Sequence, residues 1–150
     1  MKLKIYLDTS VISARFDQRN PERQTLTTEF FSQANRFDVH ISEITLAEIE
    51  KTLEAELRDS MRTLVQPFTV LEANNEVQRM TEALIRYNAV PQNSTEDAYH
   101  IAVAVVWGLD YLLSWNFRHI VRLKTRDVVR MVTTLDGYKP ITIITPAELL

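Results

Sequence analysis

The sequence contains no cysteine, which excludes disulfide bonds, thiolate metal sites and cysteine nucleophiles. Its absence is consistent with a reducing compartment, so we expect a cytoplasmic protein. Glycine is also scarce, with two residues in 150, and no Gly-x-Ser-x-Gly motif occurs. The nucleophile elbow of serine hydrolases is therefore excluded as well.

Long apolar segments are absent too. The longest apolar run, residues 101–109, is far shorter than the roughly 18 to 20 residues that span a bilayer. The apolar stretch after Lys4 ends at Asp8, which makes it too short for the core of a signal peptide. We therefore expect no membrane association.

The composition predicts one domain over residues 1–150. Of these residues 45% are hydrophobic, and no linker, repeat or low-complexity tract divides them. The net charge of -3 argues against binding of nucleic acid by bulk positive charge, although a local basic patch remains open. A metal site built from carboxylates would itself make such a chain acidic.

Short apolar runs alternate with amphipathic segments along the chain. This alternation predicts a three-layer α/β/α fold with a central parallel sheet of about five strands. One long helix is expected over residues 43–64, where an apolar stripe recurs every three or four residues. The predicted strands are 3–7, 37–41, 68–71, 110–114 and 140–145, and the other helices are 11–15, 22–35, 76–87, 95–107 and 125–135.

Asp8 is the first candidate for a functional residue. It follows the first predicted strand and enters the polar turn Thr9-Ser10. Ligands of open α/β sheets bind outside the carboxyl ends of the strands, so an aspartate there faces a crevice. The alternative is that Asp8 only caps the next helix, because Asp is a favoured N-cap residue.

Two further candidate carboxylates lie on predicted helices. Glu48 lies at the boundary of the apolar stripe of its helix, where the alternative is an ordinary surface glutamate. Asp97 begins a helix that is apolar on nearly every face, where the alternative is a capping box with Ser94. His100, one turn further, could contact a phosphate or be a hydrogen-bonded core residue.

The fourth predicted strand also ends in polar residues, with Asn116 at the position where a further acid is expected. An amide oxygen ligates a hard cation weakly and adds no charge. Beyond it, Arg118, Arg122, Arg126 and Arg130 recur at intervals of four, with His119 beside the first. On one helix they would form a basic ridge for phosphates, whereas a turn within residues 120–124 would scatter them. No aromatic interleaving marks a base-stacking platform.

Five segments stand out in order along the chain: YLDTSVI at 6–12, ISEITLAEI at 41–49, DAYHIAVA at 97–104, LLSWN at 112–116 and ITPAE at 144–148. Together they resemble the PIN-domain nucleases over essentially the whole chain. The resemblance implies a ribonuclease dependent on Mg²⁺ or Mn²⁺, commonly the toxin of a VapBC-type toxin-antitoxin pair. It assigns Asp8, Glu48 and Asp97 to the acidic core and Ser10 and Asn116 to its edge, although many members carry aspartate at the Asn116 position.

The chemistry of phosphodiester cleavage suggests a role for each residue. We hypothesise that Asp8 and Asp97 ligate the ion directly, and that Glu48 orients or deprotonates the attacking water. Asn116 would ligate through a water molecule. The candidate substrate contacts are Ser10, His100, Arg118 and His119. The resemblance also implies the partners, which are RNA, a cognate antitoxin and a second copy of the chain in a homodimer.

Two alternative functions remain open. A catalytically silent PIN-like module that binds RNA or protein is motivated by Asn116. A phosphohydrolase with Asp8 as nucleophile, as in haloacid-dehalogenase-like enzymes, would need a second acid two residues on. That position holds Ser10, which argues against this alternative.

Overall fold

Five short strands form one parallel sheet in the computed structural model, which describes residues 1–150. The strand order is β3-β2-β1-β4-β5, and every neighbouring pair is parallel. The predicted three-layer α/β/α fold with five parallel strands is therefore confirmed. The strands are β1 Lys4–Leu7, β2 Asp38–Ser42, β3 Thr69–Leu71, β4 Tyr111–Leu113 and β5 Thr142–Ile144.

Seven α-helices and two short 3₁₀ turns connect and cover these strands. No helix is long and apolar enough to cross a membrane. The helices are α1 Thr9–Ala14, α2 Pro21–Ser32, α3 Glu43–Glu50, α4 Ala55–Val65, α5 Asn75–Arg86, α6 Thr95–Val106 and α7 Leu123–Leu135, and the 3₁₀ turns are Ala34–Arg36 and Pro146–Leu149.

Alternation along β1 distributes its side chains to both faces of the sheet. Ile5 and Leu7 belong to the buried cluster under α1, α2 and α4, whereas Tyr6 belongs to the cluster under α5, α6 and α7. The α6 helix contributes seven buried residues, as expected of a helix that is apolar on nearly all sides. Tyr6 is thus a polar-tipped side chain held in an apolar layer.

The carboxyl edge of the sheet contains the point where the strand order reverses. The chain moves from β1 to β2 on one side and crosses back to β4 on the other side of β1. Asp8 follows β1 and Ser114 follows β4, and the Asp8 backbone N–H donates to the Leu113 carbonyl at 3.2 Å. Such reversal points are where open α/β sheets bind ligands.

The prediction of one continuous helix over residues 43–64 is wrong. The α3 helix ends at Glu50 and α4 begins at Ala55, and Leu53 between them is 97% exposed. The Arg58 guanidinium donates to the Thr52 carbonyl at 2.9 Å and so satisfies an acceptor at the break. The apolar period is the same on both sides of the break, so the sequence pattern did not show it.

This break predicts that two apolar residues of the same sequence stripe contribute very differently to the free energy of unfolding. Ile49→Ala should lower the free energy of unfolding by about 2–5 kcal/mol, because Ile49 is fully buried. Leu53→Ala should change it by less than about 0.5 kcal/mol. Urea unfolding followed by circular dichroism measures both, and a large loss for Leu53→Ala would contradict the break.

Candidate active site at the carboxyl edge of the sheet

Asp8 lies at the centre of the polar residues at this edge and is 3% exposed. Its Oδ1 accepts hydrogen bonds from the Ser10 hydroxyl at 2.5 Å and the Val11 backbone N–H at 3.3 Å. Its Oδ2 accepts from the Ser114 hydroxyl at 2.5 Å. Asp8 therefore caps α1, as one alternative predicted, and also lies buried at the reversal point of the sheet.

The Asp8 carboxylate has no Lys or Arg partner. Burial raises the pKa of its carboxyl, although the charge of His100 and the hydrogen bonds from Ser10 and Ser114 act in the opposite direction. An ionised carboxylate in such surroundings has lost hydration without gaining a directly paired cation. This environment favours either protonation or the arrival of a positive ion.

Glu48 and His100 form the second part of the site together with Tyr6. The Glu48 Oε1 accepts a hydrogen bond from the Thr9 hydroxyl at 2.8 Å and lies 2.5 Å from His100 Nε2. The other ring nitrogen, Nδ1, lies 2.5 Å from the Tyr6 hydroxyl, which is 2.8 Å from the Ser42 hydroxyl. This chain of contacts fixes one oxygen of Glu48.

The contact between Glu48 and His100 favours the charged form of both groups. Burial acts to raise the pKa of Glu48, but the hydrogen bond and charge of His100 outweigh it and hold that pKa below its usual value. Burial acts to lower the pKa of His100, but Tyr6 and Glu48 outweigh it and raise that pKa to about 10. His100 is 2% exposed, so it holds Glu48 from within the core.

Asp97 forms the third part of the site with His119 and Asn116. Its Oδ2 lies 2.9 Å from His119 Nδ1, and its Oδ1 accepts from the Asn116 side-chain amide at 3.4 Å. Ser94 is the N-cap residue of α6 but makes no side-chain capping bond. The capping box considered for Ser94 and Asp97 is therefore wrong, and the Asp97 carboxylate faces the strand end that follows β4.

Asn116 organises the loop after β4. Its side-chain oxygen accepts hydrogen bonds from the backbone N–H groups of Arg118 at 3.1 Å and His119 at 2.9 Å. Its own backbone N–H donates to the Ser114 hydroxyl at 2.9 Å. Ser114 also donates to Asp8, so Asn116 and Ser114 connect the Asp97 part of the site to Asp8.

The donor set suits a hard divalent cation, because it consists of carboxylate and amide oxygens without a thiolate. Asp8 adds a buried anion that lacks a directly paired cation. No three or more His, Asp or Glu side chains are gathered in an arrangement that could hold a metal ion. Glu48 and Asp97 are instead each in contact with a histidine.

The basic ridge over Arg118, Arg122, Arg126 and Arg130 is not formed, because α7 begins at Leu123. The Arg122 guanidinium donates to the Ala89 carbonyl at 3.3 Å, and Arg126 donates to the Ile143 carbonyl at 3.0 Å. Arg130 pairs with Asp127 on the surface. Of the four arginines, Arg118 is the one that directly follows the site, and it is exposed.

Three hydroxyl residues of the site were not assigned to it from the sequence. Tyr6 reads as a buried strand residue, and only its hydroxyl in an apolar layer signals a partner. Thr9 and Ser114 are short polar residues at strand ends, where capping explains them equally well. Because their partners lie 39 and 106 residues away, no local pattern reveals these contacts.

Comparison with protein families gives one match. A model of the PIN domain matches residues 5–121 of the chain. No curated protein matches the sequence significantly.

Several solved structures share the fold. The toxin VapC20 of Mycobacterium tuberculosis, which cleaves the sarcin-ricin loop, is 16% identical, with a TM-score of 0.55, and the alignment covers 91% of this chain and 98% of that chain. VapBC-5 of the same organism, a member of a toxin-antitoxin family, is 20% identical, with a TM-score of 0.54 and coverage of 95% and 98%. VapBC2 of Rickettsia felis, bound to promoter DNA, is 12% identical, with a TM-score of 0.59 and coverage of 94% and 97%. At these identities the likeness concerns the fold.

The buried hydrogen bonds of the Tyr6 hydroxyl predict that its removal lowers the stability of the fold, even though the aromatic ring is kept. Tyr6→Phe should lower the free energy of unfolding by about 1–3 kcal/mol, because the buried partners His100 and Ser42 lose a hydrogen bond. Tyr87→Phe is the matched control, since Tyr87 is exposed, and its effect should stay below about 0.5 kcal/mol. Equal effects of the two changes in denaturant unfolding would contradict the buried network.

The environment of Asp8 predicts a pH-dependent gain on substitution. In EDTA, Asp8→Asn should raise the melting temperature at neutral pH, because the amide keeps the cap and removes a poorly compensated charge. The folded-state pKa of Asp8 is raised, so stability present below pH 3.8 is lost as pH rises through that pKa. The gain should therefore shrink as pH falls from the folded-state pKa toward 3.8 and be absent below 3.8, and calorimetry that finds the same gain at neutral pH and below pH 3.8 would contradict this cause.

Proposed function

The chain belongs to the PIN-domain family, and from that premise we propose that it is a divalent-metal-dependent endoribonuclease that acts as the toxin of a toxin-antitoxin pair. The observation that carries the proposal is Asp8. Its carboxylate is buried at the reversal point of a parallel sheet, it has no paired Lys or Arg, and Glu48 and Asp97 are connected to it on either side. A structural cap alone does not require this arrangement of acids.

Asp8 and Asp97 are the residues that would hold the ion directly, and Asn116 would contact it through water. Mg²⁺ or Mn²⁺ bound there would neutralise charge on the transferring phosphoryl group and lower the pKa of a water nucleophile. Both Asp8 oxygens accept hydroxyl hydrogen bonds, but a carboxylate has about four acceptor sites and so retains capacity for a cation.

Glu48 is suited to orient and deprotonate the attacking water. Thr9 and His100 hold its Oε1 and so orient the carboxylate. The lowered pKa of Glu48 keeps it ionised at neutral pH, as a general base must be. His100 acts through Glu48 in this scheme, so we assign it to positioning that carboxylate instead of contacting a phosphate.

The remaining predicted substrate contacts differ in how accessible they are. Arg118 is exposed and pairs with no carboxylate, so its guanidinium is available to a phosphate. His119 is partly exposed beside Asp97. The Ser10 hydroxyl donates a hydrogen bond to Asp8, and its oxygen accepts one from the Trp115 backbone N–H at 2.9 Å. Ser10 therefore shapes the rim of the site.

The biological role that we propose is supported by the solved structures that share the fold. Those proteins are toxins or toxin-antitoxin assemblies, and we propose that this chain likewise binds a cognate antitoxin. We also propose a homodimer, which sedimentation of the purified chain would test. A monomer at micromolar concentration would contradict that assembly.

A second candidate is a binding module without catalysis. Two observations favour it. Asn116 stands in place of an acid, and Glu48 and Asp97 each contact a histidine, His100 and His119. A sensitive cleavage assay in Mn²⁺ distinguishes the two functions. The phosphohydrolase with Asp8 as nucleophile loses its basis, because the chain belongs to the PIN-domain family and Ser10 occupies the position of the second acid.

The proposal predicts that a carboxylate is required for cleavage. Asp97→Asn should lower the rate of Mn²⁺-dependent cleavage of a mixed RNA pool about 100-fold or more, because several kcal/mol of transition-state stabilisation are lost. Asp136→Asn, on the exposed end of α7, is the matched control and should cleave at the wild-type rate. EDTA should abolish the activity of both wild type and control.

The same pair of variants tests metal binding directly. Calorimetric titration with Mn²⁺ should give saturable binding for wild type and Asp136→Asn and weaker binding for Asp97→Asn. Wild-type cleavage by Asp97→Asn would overturn the assignment of this carboxylate. Cleavage by no variant, together with RNA binding by wild type, would support the binding module instead.

A further inference from the structure

Two aromatic residues flank Asn116 at the rim of the site. The Trp115 indole N–H donates to the Thr27 hydroxyl at 2.9 Å, and this contact fixes a ring that is 7% exposed. The Phe117 ring lies 6.3 Å from the Trp115 ring, measured between centroids, and Phe117 is 52% exposed. A buried ring thus supports an exposed one immediately beside the candidate active site.

Arg23 of α2 packs against both rings. Its guanidinium carbon lies 5.2 Å from the Trp115 ring centroid and 5.7 Å from the Phe117 centroid, within the range of cation–π attraction. Arg23 forms no ion pair with a carboxylate, and neither does Arg118, the residue after Phe117. We call the four residues Trp115, Phe117, Arg23 and Arg118 the aromatic rim.

No local sequence pattern indicates this cluster. Arg23 is contributed by a different helix, and the separation of 92 residues from Trp115 hides the pairing. Single exposed apolar residues are common on protein surfaces and need no function. The aromatic rim differs because an exposed ring and two guanidinium groups without ion pairs adjoin Asn116, whose side-chain amide contacts Asp97.

We propose that Phe117 is a stacking platform for one unpaired nucleobase of single-stranded RNA, with Arg23 and Arg118 contacting the phosphates beside that nucleotide. This inference rests on the proposed ribonuclease function and names the residues that would contact the RNA beside Asn116. A base in a duplex is already stacked on its neighbours, whereas a base in a loop or bulge offers a free face. Stacking on a ring tolerates all four bases, so the rim selects strandedness more than sequence.

Binding of a short fluorescein-labelled single-stranded oligoribonucleotide tests the platform. Anisotropy titrations in Mn²⁺ are made on the Asp8→Asn background, so that cleavage does not interfere. Phe117→Ala should weaken binding roughly five- to a hundredfold, the range for loss of one stacked base. Phe117→Trp should bind as the parent does. Trp107→Ala, an exposed aromatic at the far end of α6, is the matched control and should also leave binding unchanged.

Abasic nucleotides identify stacking as the cause. In a set of otherwise identical strands, each lacking one base, Phe117→Ala should weaken binding to every strand except the one that lacks the stacked base. That strand should bind the parent and Phe117→Ala equally well. A uniform effect of Phe117→Ala on all strands would indicate a structural role and overturn the inference.

The arginines are tested by salt dependence. Arg23→Gln and Arg118→Gln should each lower the slope of log affinity against log salt by about 0.7, the contribution of one phosphate contact on a single strand. Arg36→Gln is the matched control, because Arg36 packs over Phe37 before β2, at the opposite edge of the sheet. Its slope should equal that of the parent.

Failure of the inference is distinguishable from failure of the proposed function. If the wild-type chain neither binds nor cleaves RNA in Mn²⁺, the proposed function fails and the inference fails with it. If the wild-type chain cleaves RNA and Phe117→Ala matches Trp107→Ala, only the inference fails. Preference of the parent for duplex over single strands would also overturn it.

Discussion

The burial of one carboxylate, Asp8, is the constraint on which the rest of the site depends. A parallel sheet that reverses its strand order leaves a gap at the carboxyl edge, and Asp8 fills that gap with a charge. Two serine hydroxyls and one backbone N–H stabilise this charge, yet no Lys or Arg contacts it. The surrounding residues therefore donate hydrogen bonds to both Asp8 oxygens but leave the charge without a directly paired cation. That combination characterises a binding centre more than a structural cap.

The other two acids reach this centre through separate elements. Thr9 connects Asp8 to Glu48, which the buried pair of His100 and Tyr6 holds from the layer on one face of the sheet. Ser114 and Asn116 connect Asp8 to Asp97 through the loop after β4. Each acid is thus oriented by a different part of the core. A change in one part can therefore alter one acid while the others keep their positions.

The sequence predicts the sheet and the positions of the acids, because both follow from local patterns. Short apolar runs that end in polar residues identify parallel strands and their carboxyl edge. The helix break near Leu53 escapes prediction, because two helices with one continuous apolar period look like one. The roles of Tyr6 and Arg23 escape it for a different reason. Their partners are distant in the chain, and only the folded layers bring them together.

Arg126 shows how a residue that resembles a ligand contact can serve the fold instead. Its guanidinium donates to the Ile143 carbonyl of β5, a strand with a neighbour on one side only. Edge strands with free carbonyls are templates for pairing with other chains, and natural proteins protect them with short length and basic side chains. With three residues and one covered carbonyl, β5 carries both protections. Both features lower the tendency of this open sheet edge to pair with a strand of another chain.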